Sequence, residues 1–138
     1  MNIETGRWTK FGSTANADFY EVDAQMLAVV PHQNCYDNGG TAKASVDLQL
    51  EYLRANNRRA GVVVFMDPIL VQDSEARRVY RELPDPMFQA CFALVGGTPF
   101  GRAAGSIFLV LSPPRVPTKF FSTFDEAAAW ASSQVQAK

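Results

Sequence analysis

The sequence predicts an α/β fold with a mixed, mostly parallel sheet that is covered by helices. Two continuous apolar runs, at 61–66 and 87–95, are typical of strands that are covered on both sides. Each run follows a segment with the apolar spacing of an amphipathic helix. Strands that alternate with helices favour right-handed crossovers between parallel neighbours. Because the 138 residues contain neither a repeat nor a linker, we expect one domain over 1–138.

Two strands are predicted before the first helix. Residues 7–11 and 18–30 are rich in β-favouring side chains, and Gly12-Ser13 between them is typical of a turn. The second stretch has a polar interruption near Asp23-Ala24. That interruption would divide it into a hairpin before the chain enters the loop at 31–34.

Two amphipathic helices flank the first apolar run. The first is expected after a loop at 37–40 and ends near 56–57, and its apolar positions repeat at i, i+4 and i+7. They are Val46, Leu50 and Leu53. The second begins with Ser74 as its N-cap and ends before Pro84, since the residue before a proline is disfavoured in a helix.

The remaining elements complete the order ββαβαβαβα. Residues 100–111 follow helical spacing, Pro99 suits an early helical position, and Pro113-Pro114 ends this predicted third helix. A short strand is expected at 118–121. Thr123, with Glu126 three residues later, then forms the capping box of a last helix.

Charge and hydropathy argue against several classes of function. Thirteen Lys and Arg against 14 Asp and Glu leave a net charge of −1, so no overall field favours nucleic acid. The longest apolar run, 103–111, is far shorter than the roughly 20 residues that cross a bilayer, so no membrane span is expected. The first residues lack the basic and apolar segments of a signal peptide, which predicts a cytoplasmic protein.

Residues for His- or Cys-based chemistry are few. His32 is the single histidine, and without a Gly-x-Ser-x-Gly motif we interpret it as a surface histidine. Cys35 and Cys91 fall in separate elements and cannot complete a four-ligand zinc site with it. Cys91 stands within an apolar strand, which predicts a core position.

The loop after the central strand is bracketed by Asp67 and Asp73, a common arrangement for magnesium carboxylates in α/β folds. Only Glu75 stands nearby as a third acid, and no lysine does. The residues therefore favour a plain helix start over a metal site. We expect no enzymatic activity, no metal and no cofactor.

A glycine-rich loop stands between the second apolar run and the predicted third helix. There, backbone amides and a helix N-terminus can hold an anion. The loop matches neither the dinucleotide-binding nor the P-loop pattern, so simple turn chemistry is the competing interpretation. The candidate ligand loop consists of Gly96, Gly97, Thr98, Phe100 and Arg102, of which the arginine offers bidentate donors.

The predicted third helix is apolar beyond its core-facing set, because Leu109 and Val110 lie on other parts of its circumference. Gly101 and Gly105, one turn apart, leave a flat strip for a close approach. Three interpretations stay open: a cover formed by the N-terminal segment, a homodimer face, or a groove for a small apolar ligand.

Several segments together resemble the SpoIIAA-like branch of the STAS superfamily. They are the strand at 62–67, the helix start at 74–78, the strand end at 93–96 and the tail at 117–130. In the tail a short strand, an acidic cap and Glu-Ala-x-x-Trp follow one another. The resemblance covers most of the chain after Tyr20. It implies a sheet with its helices mainly on one face, in a protein that binds partners and catalyses nothing. The fold is also similar to that of CRAL-TRIO lipid-binding domains.

The resemblance implies a regulatory surface at the start of the second helix. In anti-sigma-factor antagonists this helix begins with Asp-Ser-Ser-Gly, and a partner kinase phosphorylates the second serine. Here Asp73 and Ser74 match, whereas Glu75 and Ala76 do not. A permanent charge at Glu75 implies a locked surface, and Ser74 stays a candidate phosphorylation site. The implied partner surface comprises Asp73, Ser74, Glu75, Arg77 and Arg78.

Two hypotheses from different classes therefore follow. The first is a non-enzymatic, STAS-like regulatory or protein-interaction module, with a kinase or an anti-sigma-like regulator as the implied partner. The second is a carrier or sensor of a small apolar, lipid-like ligand in a groove beneath the third helix. A filled core with an exposed face around Asp73 would favour the first, and an internal cavity would favour the second.

Overall fold

The computed structural model describes residues 3–98 and 115–137. The predicted third helix at 100–111 lies outside these residues, as do Phe100 and Arg102 of the candidate ligand loop. In chain order the described elements are β1 (Thr9–Ser13), β2 (Ala17–Asp23), β3 (Met26–Pro31), β4 (Cys35–Asp37), α1 (Gly39–Ala55), β5 (Ala60–Phe65), β6 (Ile69–Gln72), α2 (Ser74–Glu82), β7 (Gln89–Val95), β8 (Thr118–Phe121) and α3 (Phe124–Gln136).

Six of the strands form one mixed sheet in the order β1-β2-β3-β5-β7-β8. β2 is antiparallel to both β1 and β3, whereas β3, β5, β7 and β8 are parallel to one another. The two apolar runs become the adjacent strands β5 and β7, with Val62 opposite Phe92 and Val64 opposite Leu94. The predicted α/β fold with a mostly parallel mixed sheet is confirmed.

The second predicted strand is a hairpin, as its polar interruption indicated. β2 and β3 are joined at Ala24-Gln25, where the Gln25 amide donates to the Asp23 carboxylate at 2.8 Å. Two further strands, β4 and β6, were not predicted and form a separate parallel pair. The last strand and the last helix begin where the sequence placed them, with Thr123 as the N-cap of α3.

Both helix starts in the middle of the chain need correction. A loop is expected at 37–40, but its last two residues are helical, because α1 begins at Gly39. Asn38 caps it: its side chain accepts from the Thr41 amide at 3.0 Å, and the Thr41 hydroxyl accepts from the Asn38 amide at 2.8 Å. In α2 the N-cap is Asp73, not Ser74, since the Asp73 carboxylate accepts from the Ala76 amide at 2.9 Å.

Helices cover both faces of the sheet. On one face Leu53 of α1 packs with buried residues of the strands, among them Phe19, Leu27 and Val62, and Tyr80 of α2 borders the same cluster. On the other face α3 packs against a second cluster, which includes Val63. Two of the three described helices therefore share a face, and α3 lies opposite them.

The contact between α3 and the sheet depends on small residues. A methyl group at Gly61 in β5 would lie 3.1 Å from both the Ala131 Cβ of α3 and the Cys91 Sγ of β7. This spacing is tighter than side chains normally adopt, so the glycine lets α3 lie close to the sheet without a shift of its neighbours. Cys91 is fully buried as predicted, and burial raises the pKa of its thiol to about 11.

Replacing Val62 by Asp should prevent cooperative folding, because an unpaired carboxylate would enter the fully buried centre of the sheet. Urea unfolding followed by circular dichroism measures the effect. Val71→Asp is the matched control, since Val71 lies on β6 and is 42% exposed, and it should unfold close to the native midpoint. A Val62→Asp variant with a cooperative transition at the native midpoint would contradict this topology.

Candidate functional site

β4 and β6 lie beyond the carboxyl ends of two parallel strands of the main sheet. β4 follows β3 after residues 32–34, and β6 follows β5 after residues 66–68. The Cys35 amide donates to the Pro68 carbonyl at 3.3 Å, which brings the two connections together. In open α/β sheets ligands bind at this edge, so the β4–β6 pair marks the candidate site.

An irregular register on this pair exposes two consecutive apolar residues. Cys35 is opposite Ile69, but the next residue of β4, Tyr36, is opposite Val71, so Leu70 is an extra residue on β6. Ile69 is buried, whereas Leu70 is 53% and Val71 is 42% exposed. Tyr36 is 52% exposed beside them. We call Tyr36, Leu70 and Val71 the exposed strip.

The residues predicted as a partner surface follow the exposed strip directly in the chain. Ser74, Glu75 and Arg78 are exposed on the first turns of α2. Asp73 and Arg77 are partly buried and support the local structure instead. Asp73 caps α2, and Arg77 Nη1 donates to the Gln72 carbonyl at 2.8 Å. Three of the five predicted residues thus face solvent.

The charges on α2 compensate one another. Arg78 Nη2 lies 2.8 Å from Glu75 Oε2, and Arg78 Nη1 lies 3.6 Å from Glu82 Oε1. Arg81 also pairs with Glu82, at 2.8 Å. The hydrogen bond to Glu75 raises the pKa of Arg78. The negative charge at Glu75 is therefore balanced by its own helix rather than presented alone.

A cavity lies behind the exposed strip, between the β4–β6 pair, the main sheet, α1 and α2. Its volume is about 60 Å³. Val64 is only partly buried because it borders this space. The apolar part of the lining includes Val29, Val64, Met66, Ile69, Phe92 and Leu94.

The polar end of the cavity is built around Asp37, which is only 4% exposed. Its Oδ1 accepts from the Thr41 hydroxyl of α1 at 2.7 Å. Its Oδ2 accepts from the Tyr80 hydroxyl of α2 at 2.7 Å and from Gln72 Nε2 of β6 at 3.1 Å. Within residues 3–98 and 115–137, no Lys, Arg or His forms an ion pair with this carboxylate.

Two other titratable groups at the cavity are held in their neutral forms. Burial, and then the charge of Asp37, raises the pKa of Tyr80 well above its ordinary value. Burial raises the pKa of the Cys35 thiol too, and the nearby Asp37 adds to the shift. At neutral pH both groups keep their protons, so Tyr80 is a donor to Asp37 rather than a competing anion.

A second polar chain extends inward from the cavity along α1. Gln49 Nε2 donates to Ser45 Oγ at 3.2 Å, and Gln49 Oε1 accepts from Gln89 Nε2 at 2.9 Å. Both glutamines are buried, although the predicted apolar positions of α1 were only Val46, Leu50 and Leu53. The signal was its position three residues after Val46 and four before Leu53, on the buried face.

The described part of the candidate ligand loop already binds a carboxylate of this chain. Asp67 accepts from the Gly97 amide at 2.9 Å, the Thr98 amide at 3.1 Å and the Thr98 hydroxyl at 2.8 Å. Gly96 continues the sheet, donating its amide to the Phe121 carbonyl at 3.0 Å. These amides are satisfied internally, which supports the turn interpretation for Gly96, Gly97 and Thr98.

The remaining acids and the histidine do not converge. No group of three His, Cys, Asp or Glu side chains in the described ranges is arranged to hold a metal ion. Asp67 holds the loop after β7, while Asp73 caps α2. His32 is exposed, as predicted, and contacts the Ala15 carbonyl and Asp18. None of the helices described is long and apolar enough to cross a membrane.

Replacing Asp67 by Ala should lower the free energy of unfolding by about 1 kcal/mol, because the loop amides lose their acceptor in a partly exposed place. Chemical denaturation measures the change. Asp47→Ala removes a carboxylate paired with Lys43 on the exposed face of α1 and should cost less than about 0.5 kcal/mol. Equal midpoints for the two variants would show that Asp67 does not hold the loop.

The comparisons with known proteins identify a family without a described activity. No curated protein and no solved structure matches the chain. The family model described as a domain of unknown function (DUF7793) matches residues 20–135, well over half of the 138 residues. The matched segment contains the β4–β6 pair, the exposed strip and Asp37 with its donors. The chain therefore belongs to this family of domains of unknown function.

Proposed function

We propose that the protein is a non-enzymatic, STAS-like protein-interaction module that binds its partner through the exposed strip and the first turns of α2. The observation that carries this proposal is the bulge in β6, which turns both Leu70 and Val71 to solvent beside Tyr36. Scattered apolar residues are normal on a protein surface, whereas the three neighbouring residues of the exposed strip form a contiguous patch on the β4–β6 pair.

The patch has the composition of an interface centre. An aromatic side chain and two aliphatic ones supply apolar area, and aromatic residues are enriched where binding energy concentrates. Because all three are on paired strands, a partner would order little backbone on binding. The exposed Ser74, Glu75 and Arg78 supply a polar rim with both signs of charge.

The charge pattern also supports a surface that is not switched by phosphorylation. The carboxylate of Glu75 takes the place of a modifiable hydroxyl in the resembled motif, and its salt bridge with Arg78 fixes it on the helix. Binding should then be independent of kinase and ATP. Ser74 is exposed at the helix N-terminus and stays the candidate site at which a phosphate would be favoured.

The kinase or anti-sigma-like partner, implied by the resemblance, and the cytoplasmic location, predicted from the sequence, stay predictions. The homodimer face is one of three interpretations of the helix at 100–111, which lies outside the described residues.

The cavity favours a second candidate function, the binding of a small ligand. This cavity lies between α1, α2 and the two sheets, and its lining is mostly apolar with a few polar groups, among them Asp37. Such a combination is typical of small-molecule sites, in which a few polar groups fix the orientation of the ligand.

The first proposal is tested by affinity capture from host lysate with a double variant of the strip, Tyr36→Ser and Leu70→Ser. We expect the double variant to capture at least tenfold less of a stoichiometric partner than the native protein does, because the apolar centre of the interface has been removed. The matched control is Met87→Ser, which removes a 74% exposed apolar side chain before β7, away from the strip.

Three results would contradict the proposal. Capture that is unchanged in the double variant would place the partner elsewhere. Equal loss in Met87→Ser would indicate non-specific apolar binding. Capture that disappears after phosphatase treatment of the native protein would show that a phosphorylated hydroxyl, not the fixed charge of Glu75, controls the surface.

A further inference from the structure

The cavity behind the exposed strip is asymmetric in its chemistry. Its walls are apolar, formed by residues such as Val29, Val64 and Phe92 from three strands of the main sheet. The lining also contains Asp37, whose carboxylate accepts from Thr41, Gln72 and Tyr80. A ligand that contacts both the apolar walls and this carboxylate has a hydrocarbon part and a polar head.

The polar end carries a negative charge without a positive partner in the described chain. All three neighbours of Asp37 are neutral donors: the Thr41 and Tyr80 hydroxyls and the Gln72 amide. A carboxylate offers about four acceptor positions, and these three bonds leave one, on Oδ1. Because a buried charge is stabilised most by an opposite charge, a cation at this position would bind favourably.

We infer that this cavity binds a small organic cation, a protonated amine or amidine with a short hydrocarbon body, whose head donates to Asp37. This inference rests on the second candidate function and gives it a ligand class. The same carboxylate would repel fatty acids and phosphate-bearing lipids, so these anions do not suit this cavity.

The dimensions limit the enclosed part of the ligand. One water molecule needs roughly 10–15 Å³ of a cavity. The cavity of about 60 Å³ can therefore hold about four to six non-hydrogen atoms of a ligand. Thr14 and Asn16 also line the cavity, where a longer ligand would meet further polar groups.

Three probes of nearly equal size test the ligand class: butylammonium, 1-butanol and butyrate, each titrated to 50 mM at pH 7 and constant ionic strength. Chemical-shift changes in the ¹H–¹⁵N spectrum report binding and its location. Butylammonium should bind at least tenfold more tightly than either of the others, with its largest shifts at the Thr41 and Gln72 amides. Ammonium chloride is the control for a general cation effect and should leave these resonances in place.

Two variants tie the selectivity to the cavity. Asp37→Asn keeps the shape of the side chain but removes its charge, so the affinities for butylammonium and butanol should come within about threefold of each other. Val64→Met extends a wall residue into the space without touching Asp37 and should abolish binding of every probe. Since Val64 is only partly buried, this variant tests the site even if Asp37→Asn fails to fold.

The failures of the two proposals are distinguishable. Butanol or butyrate binding as tightly as butylammonium, with shifts around Thr41, would overturn the cationic class but keep a ligand cavity. Absence of all binding, or butylammonium shifts that persist in Val64→Met, would overturn the ligand cavity as well. An equal response to ammonium chloride would show that any cation causes the shifts, and it would overturn the inference.

Discussion

The buried carboxylate of Asp37 is the group on which the architecture around the cavity depends. It receives one hydrogen bond from each of three elements, through Thr41 of α1, Gln72 of β6 and Tyr80 of α2. Its backbone carbonyl also accepts from the Asp73 amide at 3.0 Å, at the residue that caps α2. A buried carboxylate without hydrogen-bond donors would strongly destabilise the fold. Arrangements of α1, β6 and α2 that remove these donors are therefore disfavoured.

The β4–β6 pair separates two different surfaces with very few residues. Strand alternation turns Asp37 and Ile69 towards the cavity and Tyr36 towards solvent. The extra residue at Leu70 then adds a second outward apolar side chain on β6. The proposed ligand site and the proposed partner surface are thus opposite faces of one small sheet, positioned at the carboxyl ends of β3 and β5.

The sequence predicted the main sheet well because its signal is local. The runs at 61–66 and 87–95 are apolar throughout, as strands covered on both faces must be, and they became β5 and β7. The site was largely missed because its contacts are distant in the chain. Asp37 forms hydrogen bonds with Gln72 and Tyr80, which are 35 and 43 residues away in the chain. No local sequence pattern predicts contacts between such distant residues. β4 and β6 contain only three and four residues, too few for a period to show.

Hydrogen exchange of the native protein and of Asp37→Asn, followed by mass spectrometry, tests this central role of Asp37 most directly. Without the charge, peptides that cover 69–82 should exchange at least tenfold faster, because β6 and α2 then donate to a neutral amide oxygen instead of a carboxylate, and the weaker bonds let both elements open locally. Peptides from β5 and β7 should keep their native exchange rates, since the donors to this carboxylate are in α1, β6 and α2 and not in these two strands. Native exchange over 69–82, or equal acceleration in every peptide, would contradict the account.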